Sequence, residues 1–115
     1  MFSALPPLRV DEHGGHGVVI HSKSKIGDRV HIYQGVTLGR ADIYLPGEQS
    51  KFEGIEIGDD VILAPGCKVL CKEGILKVDN GTVVGANAVL LQSTSENEIW
   101  AGSPARCVSK RPPSQ

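Results

Sequence analysis

Aliphatic side chains recur at every sixth position along most of this chain. The first block starts at Ile20, and the same register resumes at Ile57 and at Val78 after two interruptions. Four residues after most of these positions stands a small or β-branched residue. Strands that alternate with a period of two would not keep a six-residue phase across three blocks. The in-phase aliphatic positions are Ile20, Ile26, Ile32, Leu38, Ile57, Leu63, Val69, Val78, Val84 and Leu90.

This period predicts short strands that turn a corner after every hexapeptide. Three such strands form one triangular coil of about eighteen residues, and each aliphatic side chain points inward and stacks on its counterpart one coil further along. An α-helix is excluded because glycine and β-branched residues are too frequent. We therefore predict an all-β fold, a single-stranded parallel β-helix of about four to five coils.

Small or turn-forming residues flank the predicted corners. Gly27, Gly58 and Gly85 directly follow an inward aliphatic residue, and we expect glycine or asparagine at these corners to relieve the strain of a positive φ. The interruptions divide the chain further. Residues 40–54 (RADIYLPGEQSKFEG) predict an extruded loop, and residues 73–76 predict a small corner bulge. The predicted organisation is an N-terminal cap (1–19), the β-helix (20–95), and a C-terminal cap and tail (96–115).

Composition agrees with a stacked interior. The chain has 14 glycines but only 4% aromatic residues, so its core cannot depend on large rings. The net charge of -1, with both signs mixed, indicates neither nucleic acid nor a membrane surface as a partner. Three cysteines without a CxxC pair make a disulfide framework improbable and favour a reducing cytoplasm.

Ordered motifs connect the repeat to a known family. The segment 16–39 (HGVVIHSKSKIGDRVHIYQGVTLG), followed by IEIGDDVILAPGCKVL, VVGANAVLLQ and AGSPARCV, resembles the serine acetyltransferase branch of the hexapeptide-repeat acyltransferases. That branch includes O-acetyltransferases of polysaccharide synthesis. The similarity covers roughly residues 13–108. Its most specific parts are YQGVTLG and the closing G-x-P-A-R.

The resemblance implies a left-handed β-helix, a homotrimer, and acetyl-CoA as co-substrate in the groove between neighbouring subunits, with no metal. It also implies a direct transfer, in which a histidine takes a proton from a small hydroxyl- or amine-bearing acceptor such as a sugar or serine. Backbone N–H groups would stabilise the oxyanion.

The candidate catalytic residues lie before the first long strand. The family's Asp-His-x-x-Gly motif, aligned on the strand that ends at Ile20, places the histidine at Gly14, which His13 and His16 flank. Either histidine is a candidate base, and Glu12 could orient its imidazole. The residues where relatives bring the pantetheine arm and phosphates of CoA close to the chain are Gly39, Ala64, Gly85, Ala86, Ala101, Gly102, Arg106 and Lys110.

Two other functions remain open. The extruded loop has no histidine, although the family carries a second one there, and this weakens serine as the acceptor. A non-catalytic trimeric scaffold or binding module is therefore the first alternative. His16 and His21 also have the spacing of two metal ligands in γ-class carbonic anhydrases, and His31 could supply a third. A metal hydratase is the second alternative.

Overall fold

The computed structural model describes residues 9–10, by their backbone, and residues 17–112. These residues form short strands and one turn of 3₁₀ helix at Gly47–Gln49. The strands are β1 (Arg9–Val10), β2 (Val19–Ile20), β3 (Ser24–Ile26), β4 (His31–Ile32), β5 (Thr37–Arg40), β6 (Lys51–Ile57), β7 (Ile62–Leu63), β8 (Lys68–Cys71), β9 (Glu73–Val78), β10 (Val83–Val84), β11 (Val89–Leu90), β12 (Glu98–Gly102) and β13 (Ala105–Lys110).

From β1 to β12, successive strands belong to different sheets, which form the three faces of a coil. Face A contains β1, β4, β7, β10, β12 and β13 in that order, face B contains β2, β5, β8 and β11, and face C contains β3, β6 and β9. All pairings are parallel except that of β12 with β13, which closes the C-terminal end. The predicted parallel β-helix is confirmed.

The core is the column of inward aliphatic residues. Eight of the ten predicted positions are at most 3% exposed, and only Ile20 and Ile26, in the first coil, are half-buried. Pairing keeps the columns in register, so that Leu38 lies opposite Val69 and Ile32 opposite Leu63. Of the small or β-branched residues predicted four positions further on, Ser24 is 8% exposed and Thr94 is half-buried. The other six are at most 1% exposed: Val30, Val36, Val61, Cys67, Thr82 and Ala88.

The corners correct one prediction. Positive φ occurs at the third residue after the inward aliphatic, as at Gly35 (φ 74) and Gly66 (φ 75), and not at the first. The glycines at the first position are required by close stacking instead. A Cβ on Gly58 would lie 2.9 Å from the backbone nitrogen of Asn80 in the next coil.

The two interruptions have different structures. Residues 41–50 leave the coil between β5 and β6 and include the 3₁₀ turn. The predicted loop (40–54) was too long, because Arg40 belongs to β5 and residues 51–54 pair as part of β6. The second interruption is not a corner bulge, because residues 73–76 belong to β9, which pairs with β6 from Lys51↔Glu73 to Ile57↔Val78. The irregularity in this pairing lies in β6, where the register shifts between Phe52 and Gly54. The extra residues extend a strand because the preceding coil offers a long edge to pair with.

Candidate functional site

A column of turns joins face A to face B, and several of the predicted cofactor residues lie on it. We call the turns at residues 33–36, 64–67 and 85–88 the A/B corner. The backbone N–H of Ala64 donates to the carbonyl of Val84 (3.0 Å), and that of Gly85 donates to the carbonyl of Trp100 (2.8 Å). Ala64, Gly85 and the residue after Trp100 therefore follow one another coil by coil. The structure brings together Ala64, Gly85, Ala86 and Ala101.

Close packing keeps the C-terminal part of this corner small. A Cβ on Gly85 would lie 3.2 Å from the carbonyl oxygen of Trp100 and 3.6 Å from the Cβ of Ala101. Trp100 is buried, and its indole N–H donates to Glu98 Oε1 (3.0 Å). The backbone N–H of Ser95 donates to the same oxygen (2.8 Å). These two donors, Ser95 first, lower the pKa of Glu98 and fix the last coil against the corner.

Two polar side chains lie at the A/B corner that sequence reasoning did not identify. Lys68 Nζ donates to the carbonyl oxygens of Gly66 (2.6 Å) and Gly35 (3.2 Å), so one ammonium ties two coils together. The Oε1 atom of Gln34 is buried and has no hydrogen-bond partner among the described residues. The available signal for Gln34 was its place within the YQGVTLG string.

The structure places only some of the other predicted cofactor residues at the A/B corner. In the antiparallel pair β12–β13, Arg106 lies opposite Ala101 at the A/B corner, and Lys110 lies opposite Glu98. Lys110 lines a separate hollow together with Asp79 and Asn97. Gly102 (φ 99) continues from Ala101 at the end of β12. Gly39 pairs with Leu70, at the end of face B that leads away from the A/B corner. The structure thus does not bring Gly39 or Lys110 to this corner.

The extruded loop is held by a buried carboxylate. Asp42 is 1% exposed, and its oxygens accept hydrogen bonds from Ser50 Oγ (2.7 Å) and Arg40 Nε (2.9 Å). The hydrogen bond from Ser50, then that from Arg40, lowers the pKa of Asp42. Arg40 also donates to the carbonyl of Leu45 (2.8 Å).

The loop presents apolar and cationic groups to solvent. Its residues Ile43 and Tyr44 are 80% and 70% exposed, although the carboxylate beneath them is held rigidly. A cavity of about 350 Å³ lies between the loop and the face B to face C turn, where Lys51 and Lys72 line it with Tyr44. This arrangement could contact a polar ligand, but it contains no histidine.

The predicted catalytic residues Glu12, His13 and His16 lie outside the described residues. The first described residue after them, Gly17, stacks on Gly35, since a Cβ on Gly17 would lie 3.6 Å from the Cα of Gly35. The strand that follows these candidates therefore starts from the A/B corner.

The two described histidine candidates have structural surroundings. His21 Nδ1 accepts the backbone N–H of Lys23 (3.0 Å), and its ring meets that of Phe52 edge to face at 4.8 Å. His31 is half-buried on β4. Within residues 17–112 no group of three or more His, Cys, Asp or Glu side chains could hold a metal ion. No helix in the described part of the chain is long and apolar enough to span a membrane.

The fold defines the class of protein. Three parallel faces with in-register aliphatic columns form a left-handed β-helix of hexapeptide repeats, as the solved structures similar to this chain confirm. One of these is the serine acetyltransferase of Brucella abortus strain S19 in complex with coenzyme A (TM-score 0.77, 27% identity). The superposition covers 92% of this chain and 38% of the Brucella chain. Another is the serine acetyltransferase of Vibrio cholerae (TM-score 0.74, 31% identity), which covers 91% of this chain and 36% of that one.

Sequence comparison identifies the branch. The serine acetyltransferase of Staphylococcus aureus is 41% identical over 96 residues, which are 84% of this chain and 41% of that protein. No protein-family model matches the chain. The predicted resemblance is confirmed: the chain carries a hexapeptide-repeat β-helix of the serine acetyltransferase-like branch of the acyltransferases. It spans about two fifths of the length of the curated relatives that it matches.

Proposed function

We propose that this chain is an acetyl-CoA-dependent O- or N-acetyltransferase that acts on a small hydroxyl- or amine-bearing acceptor. The observation that carries the proposal is the A/B corner, a column of small residues in a chain related to serine acetyltransferases. One of the similar structures, that of Brucella abortus, is a complex with coenzyme A.

The residues at this corner fit the shape and charge of the cofactor. Ala64, Gly85, Ala86 and Ala101 leave the backbone open to a thin chain such as the pantetheine arm. Arg106 lies beside Ala101, is exposed, and makes no side-chain hydrogen bond within residues 17–112, so its guanidinium is available to a CoA phosphate. The same column would therefore hold both ends of the cofactor.

The chemistry assigned to the site is a direct transfer. His13 or His16, oriented by Glu12, takes the proton of the acceptor's O–H or N–H while that oxygen or nitrogen attacks the thioester carbonyl. Backbone N–H groups stabilise the tetrahedral oxyanion. The C–S bond then breaks, and the sulfur of CoA leaves. The histidine passes the proton to this sulfur, so that the products are the acetylated acceptor and CoA.

A homotrimer is part of the proposal, and the three faces differ in a way that supports it. Face C carries a row of charges across its strands, Lys25 beside Glu56 beside Lys77, as expected of a face in water. The corresponding row on face A is His31, Ile62, Val83 and Ile99, so its last three strands present aliphatic side chains. The corresponding row on face B is Val19, Thr37, Lys68 and Val89, with a single charge. Faces A and B thus carry fewer charges than face C and are the ones suited to contact other subunits.

The compartment proposed is the cytoplasm, because all three thiols are free. The acceptor class includes sugars and serine.

The non-catalytic scaffold remains the second candidate, and the loop favours it. Residues 40–54 contain no histidine. The buried carboxylate of the loop, Asp42, is already occupied by Arg40 and Ser50 and is not free to act as a base. A scaffold would keep the trimer and the core but would not need to bind CoA.

Isothermal titration with CoA and acetyl-CoA tests the proposal, with the mass of the protein in solution measured alongside. We expect micromolar binding at about one site per chain of a trimer. His13→Ala and His16→Ala should bind acetyl-CoA like the wild type, and one of them should lose thioester turnover. A folded trimer that does not bind millimolar CoA would contradict the transferase and favour the scaffold.

A further inference from the structure

Gln34 has a buried acceptor that no described residue satisfies. Its main-chain carbonyl oxygen is engaged in the turn, where it accepts the N–H of Gly66 (2.9 Å). Its side-chain Oε1 is buried and has no partner among the described residues. A buried acceptor without a donor costs about 1–3 kcal/mol. Such an atom therefore indicates a donor that the described residues do not supply.

The other buried polar groups do not share this property, with one exception. Thr82 Oγ1 lies 2.8 Å from Thr94 Oγ1, and Asp42 is held by Ser50 and Arg40. The exception is the Oγ of Ser24, on face C in the first coil, away from the A/B corner. Of the two unsatisfied atoms, only that of Gln34 lies at the proposed cofactor groove.

A cationic donor lies at the same turn. Two of the three ammonium protons of Lys68 are directed to the carbonyl oxygens of Gly66 and Gly35, the neighbour of Gln34. One proton of this ammonium is left for an external acceptor. The turn thus offers an acceptor from Gln34 and a donor from Lys68, which complement the N–H and C=O of an amide.

We propose that Gln34 is a cofactor-binding residue whose Oε1 accepts a hydrogen bond from an amide N–H of the pantetheine arm. The inference rests on the proposed function, because it requires acyl-CoA to lie along the A/B corner. The pantetheine arm suits this place because it is thin enough for a corner lined by Ala64 and Gly85 and carries amide groups along its length. Lys68 would donate its remaining proton to the amide carbonyl.

The test separates the arm from the adenosine end of the cofactor. Two variants are compared with the wild type: Gln34→Met keeps the length of the side chain but removes the acceptor, and Gln34→Glu keeps an acceptor oxygen. Binding is measured by calorimetry for acetyl-CoA, S-acetylpantetheine and adenosine 3′,5′-bisphosphate. We expect Gln34→Met to bind acetyl-CoA and S-acetylpantetheine about three- to tenfold more weakly, as for the loss of one neutral hydrogen bond. The bisphosphate should bind both variants like the wild type, and Gln34→Glu should retain binding of all three ligands.

Stability provides an independent readout. Gln34→Met removes an unsatisfied buried oxygen, so the ligand-free variant should resist urea as well as the wild type or better. A clear loss of stability would indicate a structural role and overturn the inference. It would also be overturned if Gln34→Met bound S-acetylpantetheine normally, if it raised only the KM of the acceptor, or if Gln34→Glu lost binding. A wild-type protein that bound no acetyl-CoA would instead refute the proposed function itself.

Discussion

Face A meets face B at one corner and face C at the other. The turns at these two corners share a backbone geometry but carry different side chains. We call the turns at residues 27–30, 58–61 and 79–82, which join face C to face A, the A/C corner, and we include residues 96–97, where the N–H of Asn97 donates to the carbonyl of Asn80 just before β12. There the backbone N–H of Asp28 donates to Asp59 Oδ1 (2.8 Å), and that of Asp59 donates to Asn80 Oδ1 (2.7 Å). Arg29 and Asp60 form an ion pair across coils (Nε–Oδ1 2.7 Å).

Among the described residues, the A/B corner has no ladder of carboxylate and amide acceptors, and the ammonium of Lys68 links two of its coils instead. Its turns carry glycine, alanine and proline, and the buried oxygen of Gln34 lacks a described partner. The backbone does not require this difference, because Asn87 at one corner and Asn97 at the other both adopt φ 57. One corner links its coils through a ladder of carboxylate and amide acceptors, and the other links them through Lys68 and otherwise carries mainly small residues. This contrast separates a structural edge from the proposed binding edge.

The largest expected effect is on the alkylation rate of Cys67, whose thiol is buried behind the A/B corner. Cys67 follows Gly66 at this corner, and burial, partly offset by the charge of Lys68, raises the pKa of its thiol to about 12. At pH 8 only about one thiol in 10⁴ would be ionised. We expect iodoacetamide to modify the exposed Cys107 at least about 1000-fold faster than Cys67, as measured by peptide mass spectrometry. Equal rates would show that the corner opens in solution and is not a fixed surface.

A bulky side chain at one corner should block the cofactor, whereas the same change at the other should not. Ala86 and Glu96 are both exposed and precede asparagines of identical φ, so they form a matched pair. Ala86→Trp should weaken CoA binding on the order of 100-fold because the indole would fill the groove. Glu96→Trp should bind CoA like the wild type in the same titration. Similar losses in both variants would remove the distinction between the corners.

Close stacking at the A/C corner predicts that even a small added side chain lowers the stability of the fold. Gly58→Ala would place a Cβ 2.9 Å from Asn80 N, so backbone must move, and we expect the free energy of unfolding to fall by about 1–3 kcal/mol. Gly39→Ala is the control, because its nearest new contact, Thr37 Cγ2, is at 3.9 Å. Urea denaturation measures both. Equal midpoints for the two variants would contradict the stacking argument.

The smallest effect is expected from the surface ion pair at the A/C corner. The side chains of Arg29 and Asp60 are 56% and 52% exposed, so solvent screens their attraction. Arg29→Met should lower the urea midpoint of unfolding only slightly, and CoA affinity should not change. The difference from the wild type should shrink further in 1 M salt, because the Debye length of about 3 Å then screens the attraction between the two side chains. A larger loss would mean that this corner depends on charge and not on its backbone hydrogen bonds.

The inward columns could be read from the sequence because each hexapeptide repeats the same local requirement. Ile32, Leu63 and Val84 are buried one above another, as their common phase predicts. The position of the loop followed from the break in that phase. The extension of β9 did not, since it depends on the edge that β6 presents and not on residues 73–76 themselves.

The candidate site was predictable only in part. Small residues were identified singly, and Ala64, Gly85, Ala86 and Ala101 do share one corner, whereas Gly39 and Lys110 lie elsewhere. The catalytic candidates Glu12, His13 and His16 remain predictions, because they lie outside the described residues.

The sequence by itself determined the coil, its core and the family, because a six-residue period and ordered motifs are properties of neighbouring residues along the chain. Only the tertiary structure decided which corner is open. Lys68 reaches Gly35 across 33 residues, and Asn80 accepts the N–H of Asp59 from 21 residues away. Such contacts form between coils, where the spacing of the sheet and not the local sequence decides which polar groups find partners. Gln34 was left without a described partner by that same spacing.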